Sequence, residues 1–384
     1  MTKIRIPFNK PWMTGKELDY IREANALGQL SGNGAFTGKC HRWLEKTTGA
    51  RKALLTHSCT GALEMAALIA DIRPGDEIIM PSYTFVSTAN AFALRGGVPV
   101  FVDIRSDTLN MDENLIEEAI TGETKAVVPV HYAGVGCEMD SIMALAGRRG
   151  LLVIEDAAQA LMSFYKGRPL GSIGHLGAIS FHETKNVICG EGGVLLVNCD
   201  EFIERSEVIW QKGTDRNRFY RGEVDKYTWQ DLGSSFLPNE ITAAFLLAQL
   251  EHAGELVSGR KASWEMYHSL LEGPEKEGLL RRPVIPDHCT HNAHMYYVIL
   301  PEGRLRPPVI KYLSDQGINA VFHYVPLHGS PAGRRYGKAR GDLPVTTAMS
   351  DRILRLPLWA GISEGEINEV CDALISAIRL AMDY

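Results

Sequence analysis

Between residue 50 and about residue 200, short β-rich runs alternate with helical stretches, and this alternation constrains the fold more than any other feature of the chain. The expected strands are Ala53–Leu55, Glu77–Met80, Val98–Asp103, Ala126–His131, Leu151–Glu155, Ala178–Phe181 and Val194–Asn198. Several are almost continuously apolar (VPVFVDI, AVVPVHY, LLVIEDAA), the pattern of strands covered on both faces. Helical periodicity fills the gaps, at Ala62–Ala70, Asn114–Ile120 and Asp140–Arg149. The prediction is an α/β fold with a mostly parallel sheet flanked by helices. Such sheets bind ligands at the carboxyl ends of their strands, so the polar residues closing each strand are the candidates for chemistry.

A long helical region, roughly Asn239 to Glu272, follows a loop rich in Arg, Gly and aromatic residues. Beyond it, runs at Met295–Leu300, Ala320–Val325 and Ile353–Leu356 alternate with helices near Pro307–Gln316 and Glu364–Met382. We read residues 1–254 as a large domain with an N-terminal arm and 255–384 as a smaller α/β domain. The first forty residues are expected to pack, as a helix and a loop, on the large domain.

The 384 residues carry 40 basic and 46 acidic side chains, a formal charge of −6, which argues against the concentrated positive surface that nucleic-acid binding requires. The start, MTKIRIPFNKPW, lacks the apolar core of a secretory signal, and no apolar run approaches the roughly 20 residues that span a bilayer. Seven scattered cysteines with no C-x-x-C pair fit free thiols in a reducing compartment. The expectation is a soluble, cytoplasmic protein that binds neither nucleic acid nor membrane.

Three strand ends stand out. In ISFHETKN, followed by the glycine-rich GEGG, Lys185 lies just beyond a buried strand. Burial favours the neutral amine and so Schiff-base chemistry, although an isolated lysine here also reads as a solvated loop residue. In VIEDAAQ, Asp156 closes an apolar strand; it is either a helix cap or a partner for a protonated ring nitrogen, as pyridoxal phosphate (PLP) needs. In THSCTGAL, a short strand runs through hydroxyls and Gly61 into a helix, a natural phosphate seat or simply a cap. The order along one sheet is phosphate seat, carboxylate, lysine.

With these residues the chain resembles the DegT/DnrJ/EryC1/StrS sugar aminotransferases, PLP enzymes of the aspartate-aminotransferase fold (fold type I). The likeness runs from Ile6 to the C-terminus and is carried by PGDEIIMPSYTFVSTANAF, PVHYAGVGCEMD, SFHETKN, VDKYTW, NAHMYY and VFHYVPLHG. It implies that Lys185 forms the Schiff base with PLP and shuttles the proton, and that Asp156 keeps the pyridine nitrogen protonated. Gln159 would lie by the ring 3-oxygen, Thr60, Gly61 and Ser180 would bind phosphate, and Phe85 would stack on the ring where some relatives have Trp. Many relatives place an Asn of the neighbouring subunit on the phosphate; Ser235 stands there, with Ser234 beside it. A homodimer with interfacial active sites is therefore expected.

The resemblance implies conversion of dTDP-4-dehydro-6-deoxy-D-glucose and L-glutamate to dTDP-4-amino-4,6-dideoxy-D-galactose and 2-oxoglutarate, a step of enterobacterial common antigen synthesis; the alternative is another nucleotide-sugar 4-aminotransferase, with a gluco product or a different nucleotide. Some relatives instead remove a sugar hydroxyl, with His in place of the lysine; Lys185 speaks against that here. The basic run Lys212–Arg221, with Lys212, Arg216, Arg218 and Arg221, is either a diphosphate site or a solvated loop. His131, Tyr132 and His323 end strands and either face the sugar or hold structure.

Two further signals carry less. Gly32-Asn-Gly-Ala-Phe-Thr-Gly38 resembles a dinucleotide fingerprint but has the wrong spacing and follows a helix. His288, Cys289, His291 and His294 look like a metal cluster but lack two well-spaced ligand pairs, and no metal site is expected.

Overall fold

The computed structural model describes residues 4–383. Ten strands are used below: β1 Lys52–Thr56, β2 Glu77–Pro81, β3 Val98–Val102, β4 Thr124–Val127, β5 Leu152–Asp156, β6 Leu176–Ser180, β7 Gly193–Val197, β8 Tyr296–Ile299, β9 Lys338–Ala339 and β10 Ile353–Leu356. The helices are α1 Glu17–Ala26, α2 Ala35–Thr48, α3 Cys59–Ile69, α4 Val86–Ala93, α5 Met139–Arg149, α6 Ile203–Trp210, α7 Glu240–Glu251, α8 Ala253–Leu270, α9 Arg306–Asp315 and α10 Glu364–Met382.

An eight-stranded sheet, ordered β1-β7-β6-β5-β4-β2-β3-β9, forms the frame. Its pairs from β6 to β9 are parallel, whereas β7 is antiparallel to both β6 and β1. The pleat sends alternate residues to opposite faces. Ala53, Leu55, Val127, Val153 and Ile179 meet α1, α2, α5 and α7 on one side. Leu54, Ala126, Ile154 and Ala178 meet α3, α4 and α6 on the other. This two-sided burial is why the strands read as unbroken apolar runs, and the mostly parallel α/β expectation holds.

One strand is shorter than expected. The run Ala126–His131 leaves the ladder after Val127, because Pro129 has no N–H to donate. The chain still touches β5 beyond that point: the Asp156 N–H donates to the Pro129 carbonyl at 2.9 Å.

A second core lies towards the C-terminus, where β8 and β10 pair antiparallel and α8, α9 and α10 cover them. The run Ala320–Val325 forms no strand; Val321 makes an isolated bridge to Arg355, after which His323 and Tyr324 enter a cleft between the two cores. The long helix expected over 239–272 breaks at His252, which leaves helical dihedrals (φ −109°, ψ 10°). The N-terminal segment also divides differently. Helices α1 and α2 pack on the large sheet's core, but Ile6 joins the second core and bridges Ile318. In the other direction, β9 leaves the C-terminal region to extend the large sheet beside β3.

Helix α2 begins at the glycine-rich turn that superficially resembled a nucleotide loop. Its free amides are satisfied within the chain. The Glu240 carboxylate, 2% exposed, accepts from the N–H groups of Gly34 (2.9 Å), Phe36 (2.7 Å) and Thr37 (3.2 Å), and from the Thr37 hydroxyl. A Cβ on Gly34 would sit 2.6 Å from the Glu240 Cδ, so only glycine lets the carboxylate this close. An anion at a helix N-terminus is favoured by both the amides and the dipole. Replacing Glu240 by Ala should lower the unfolding free energy by roughly 2–4 kcal/mol, read from urea midpoints at constant slope. An unchanged midpoint would show that water replaces the carboxylate without cost.

Candidate active site

The cleft between the two cores has a volume of about 770 Å³. The carboxyl ends of β5 and β6, the β1–α3 turn and the start of α4 supply one wall, and the segments around Val321–Val325 and β10 supply the other.

Asp156, the last residue of β5, is 5% exposed and lines the cleft. Its Oδ2 accepts from the Thr88 hydroxyl at 2.6 Å, and its Oδ1 accepts from the Ala158 N–H at 3.1 Å. The Thr88 hydroxyl in turn lies 2.7 Å from that of Thr84, so a threonine of α4, backed by one from the β2–α4 connection, orients the carboxylate. Lys185 reaches the same cleft from the turn after β6. Burial pushes its amine below the ordinary lysine range and the neighbouring Arg355 adds to the effect, while Asp156 opposes it. A desolvated amine whose pKa is lowered, beside a fixed carboxylate, is the pairing that favours Schiff-base chemistry.

At the β1–α3 turn Ser58 is the N-cap: its hydroxyl accepts from the Gly61 N–H at 3.0 Å. That leaves the first amides of α3, at Cys59 and Thr60, for another acceptor. A Cβ on Gly193 would lie 2.4 Å from the Cys59 nitrogen, so the glycine-rich segment after Lys185 lets β7 press against the helix start. Thr60 faces the cleft, its hydroxyl 2.7 Å from that of Ser87. Gly61 faces away, towards the His57 ring. Ser180 lines the cleft at the end of β6. Phe85, 55% exposed, stands over the opening with its ring 6.1 Å from Tyr324. The Gln159 side chain spans the back of the site, accepting from the Ala133 N–H at 2.7 Å and donating to the Tyr324 hydroxyl at 3.1 Å.

The remaining candidates divide. His323 lines the cleft, with Nδ1 3.0 Å from the Tyr132 hydroxyl, and burial holds its pKa well below the usual range. Tyr132 therefore stands behind His323, buried among Tyr83, Tyr297 and Tyr324. His131 does not reach the cleft. It is fully buried, with Nε2 2.8 Å from Glu155 and Nδ1 accepting from the Cys137 N–H at 3.2 Å, which makes it structural.

The basic run also lies outside the cleft. Lys212 and Arg216 line a separate 300 Å³ pocket with Ser235, and Arg218 is paired to Glu204 and Glu223. The histidine-rich run is dispersed: His288 bonds Glu138, His291 packs on Trp264, and His294 faces the cleft with Nδ1 3.2 Å from Asn186 Oδ1. No metal-binding cluster occurs among the described residues, all seven cysteines are free, and no described helix is long and apolar enough to cross a membrane.

Sequence reasoning missed Thr88, Tyr324, Arg355 and the N-terminal residues Phe8 and Asn9, all at the site. Thr88 lay within a motif already singled out, one helical turn after Phe85 and Val86. Phe8 and Arg355 had no local signal.

Comparison with known proteins decides the family. The profile of the DegT/DnrJ/EryC1/StrS aminotransferase family matches residues 11–375. The chain belongs to that family. GDP-perosamine synthase of Caulobacter vibrioides is 34% identical over 96% of this chain and 97% of its own. Spr1654 of Streptococcus pneumoniae, solved in PLP and PMP forms, is 26% identical; its PLP form superimposes with a TM-score of 0.90 over 98% of this chain and 99% of its own. DesV of S. venezuelae is 28% identical with a TM-score of 0.87, over 98% and 99% of the two chains. As a member of the DegT/DnrJ/EryC1/StrS family, this protein is a PLP-dependent sugar aminotransferase of fold type I. Its cleft fits that cofactor: an enclosed amine with a lowered pKa, a buried carboxylate held by donors on both oxygens, and a helix start with amides to spare.

The lowered Lys185 pKa sets a pH dependence. In the folded, cofactor-free protein the amine is neutral over a range where the unfolded chain is protonated, so stability rises with pH across that window, up to the unfolded value of about 10.4. Lys185→Met removes the burial cost. The cofactor-free variant should be more stable than wild type at pH 7, and the difference should shrink towards pH 10 in parallel urea titrations. A difference independent of pH would show that the amine is not depressed.

Proposed function

We propose that this protein transfers the amino group of L-glutamate to C4 of dTDP-4-dehydro-6-deoxy-D-glucose, giving dTDP-4-amino-4,6-dideoxy-D-galactose and 2-oxoglutarate, as a homodimer. The observation that carries the reading is the convergence of Lys185, Asp156 and Thr60 from three strand ends onto one cleft. The likeness of long stretches such as SFHETKN and PVHYAGVGCEMD supports the C4 position and the galacto product.

Bound PLP supplies an electron sink for the carbon that loses its proton. Everything else falls to the chain. Lys185 Nζ takes a proton from one carbon and returns it to another, and burial, by lowering its pKa, favours the free-base form that this exchange needs. The Asp156 carboxylate, fixed by Thr88 and the Ala158 amide, holds a proton on the ring nitrogen. Thr60, Ser180 and the start of α3 seat the phosphate. Gln159 would lie by the ring 3-oxygen and Phe85 would stack on the ring. His323, neutral and braced by Tyr132, faces the sugar. Lys212 and Arg216, in their own pocket beside Ser235, take the diphosphate or cofactor phosphate of a second copy's site.

A GDP-linked keto sugar is the second reading, supported by the 34% identity to GDP-perosamine synthase. The test is the visible spectrum of the PLP-loaded protein. L-Glutamate should bleach the band and dTDP-4-dehydro-6-deoxyglucose should restore it, with NMR of the product giving its stereochemistry. Lys185→Ala should lower turnover at least about 10²-fold. If glutamate bleaches the band and only a GDP-linked sugar restores it, the second reading replaces the first. Full turnover in Lys185→Ala would overturn both.

A further inference from the structure

His294 enters the cleft from the segment just before β8 and is 9% exposed. None of the steps above uses it. Its ring is held by Asn186, the residue that follows Lys185. Asn186 Nδ2 donates to the Asn292 carbonyl at 2.7 Å, so its Oδ1 is the atom that meets His294 Nδ1, at 3.2 Å. An amide oxygen only accepts, so the imidazole proton sits on Nδ1.

The ring is also neutral. Burial holds its pKa well below the usual range, and the charged groups that act on it, Lys185, Arg260 and Arg355, are all cationic. A neutral imidazole protonated at Nδ1 keeps a lone pair at Nε2. Among the described residues no donor is bonded to that nitrogen. His294 therefore presents an open acceptor to the cleft.

The frame around it is fixed. Arg260, from α8, donates Nε to the Ala293 carbonyl (3.0 Å) and Nη2 to the His294 carbonyl (2.7 Å). Asn292, 1% exposed, donates Nδ2 to the Gln159 and Leu161 carbonyls, both at 2.9 Å, and ties the segment to the loop after β5. A preorganised acceptor without a partner in the protein favours a ligand that brings an O–H or N–H.

The two substrates differ in what they bring. His294 and Lys185 line one cleft, and Asn186 joins the ring to the lysine's own turn, so Nε2 faces the neighbourhood of the reacting carbon. The reacting nitrogen is common to both half-reactions and is engaged by the cofactor. L-Glutamate otherwise carries on its reacting carbon a carboxylate, which only accepts. A 4-dehydro-6-deoxy sugar carries a hydroxyl on the adjacent C3, while C5 carries a methyl group. We propose that His294 Nε2 accepts a hydrogen bond from the C3 hydroxyl of the sugar substrate, and so serves the sugar half-reaction alone. This rests on the reading of the protein as a transaminase of a 4-keto sugar.

The test is a cycle between enzyme and substrate. Return of the bound-PLP band is followed after dTDP-4-dehydro-6-deoxyglucose, or its 3-deoxy analogue, is added to the PMP-loaded protein. Loss of the hydroxyl should raise the concentration for half-maximal rate about 3–10-fold in wild type, the range of one uncharged hydrogen bond. His294→Asn keeps a donor for Asn186 at the Nδ1 position and removes the acceptor. It should raise the requirement for the parent sugar by the same factor, and that for the 3-deoxy sugar by less than about twofold. His294→Gln, whose amide oxygen reaches the Nε2 position, should fall between. Bleaching by L-glutamate should stay within about twofold in both variants. Equal loss on the two sugars, loss in the glutamate half-reaction, or no loss with the parent sugar overturns the assignment. If His294→Asn does not fold, His294→Gln decides by the same comparison. If only a GDP-linked keto sugar restores the band, that sugar and its 3-deoxy counterpart enter the same cycle, and the nucleotide reading alone is replaced. A wild-type band that glutamate never bleaches contradicts the transaminase reading itself and is distinct from any of these results.

Discussion

Two adjacent carboxylates at the end of β5 hold the site together. The pleat sends Glu155 and Asp156 to opposite sides of the sheet. Glu155 is fully buried, and its oxygens accept from the amides of Gly171, Ile173 and Gly174 at 2.6–2.8 Å and bond His131 at 2.8 Å. Four donors satisfy a charge that burial would otherwise make prohibitive. They also fix the loop that leads into β6 and the turn that carries Tyr132. A Cβ on Gly177 would lie 2.0 Å from the Gly171 carbonyl, so the loop fits against β6 only because that position is glycine. Asp156, facing the cleft, inherits the rigidity of this anchor.

The same arrangement explains what was legible in the sequence. Strands buried on both faces announce themselves as apolar runs, and a parallel sheet places chemistry at their ends, so Lys185, Asp156 and Thr60 could be found by pattern. Their spacing survives because each is tied to a strand terminus. His131 misled for a related reason. It follows an apolar run, but Pro129 ends the ladder first, and the chain turns the imidazole inward to Glu155. In the basic run Lys212–Arg221 sequence shows charge density but not partners: Arg218 and Arg221 pair with Glu204, Glu207 and Glu223, whereas Lys212 and Arg216 line a pocket of their own. Phe8 and Arg355 are 347 positions apart by number and meet only through the fold, so no local pattern could join them.

Electrostatically, the cleft disfavours charge on its bases. Burial lowers Lys185, His294, His323 and Arg355, and holds Arg260 at about 10. Proton exchange at a carbon needs a base that can be neutral at working pH, and enclosure creates one without a dedicated partner. The arginines, whose ordinary pKa lies far higher, remain charged under the same pressure. The cleft thus separates its bases by chemistry: the imidazoles are neutral and the amine is shifted towards its free-base form, while guanidinium stays cationic and must find an anion or a carbonyl.

That separation depends on the two cores staying in register, and the chain crosses between them more than once. Ile6 packs in the C-terminal core, whereas α1 and α2, a few residues later, pack on the large sheet. β9 returns from the C-terminal region to the sheet edge at β3. Tyr83, at the start of the α4 connection, donates to the His323 carbonyl on the opposite wall. A cleft built at such a seam has walls from separate hydrophobic units, so its width responds to whatever bridges them. The arm residues Phe8 and Asn9 sit at this bridge, one on Arg355 and the other on the backbone leading to Lys185. The arm therefore ties the turn that carries Lys185 to the opposite wall, and the cleft keeps its width where those two contacts are made.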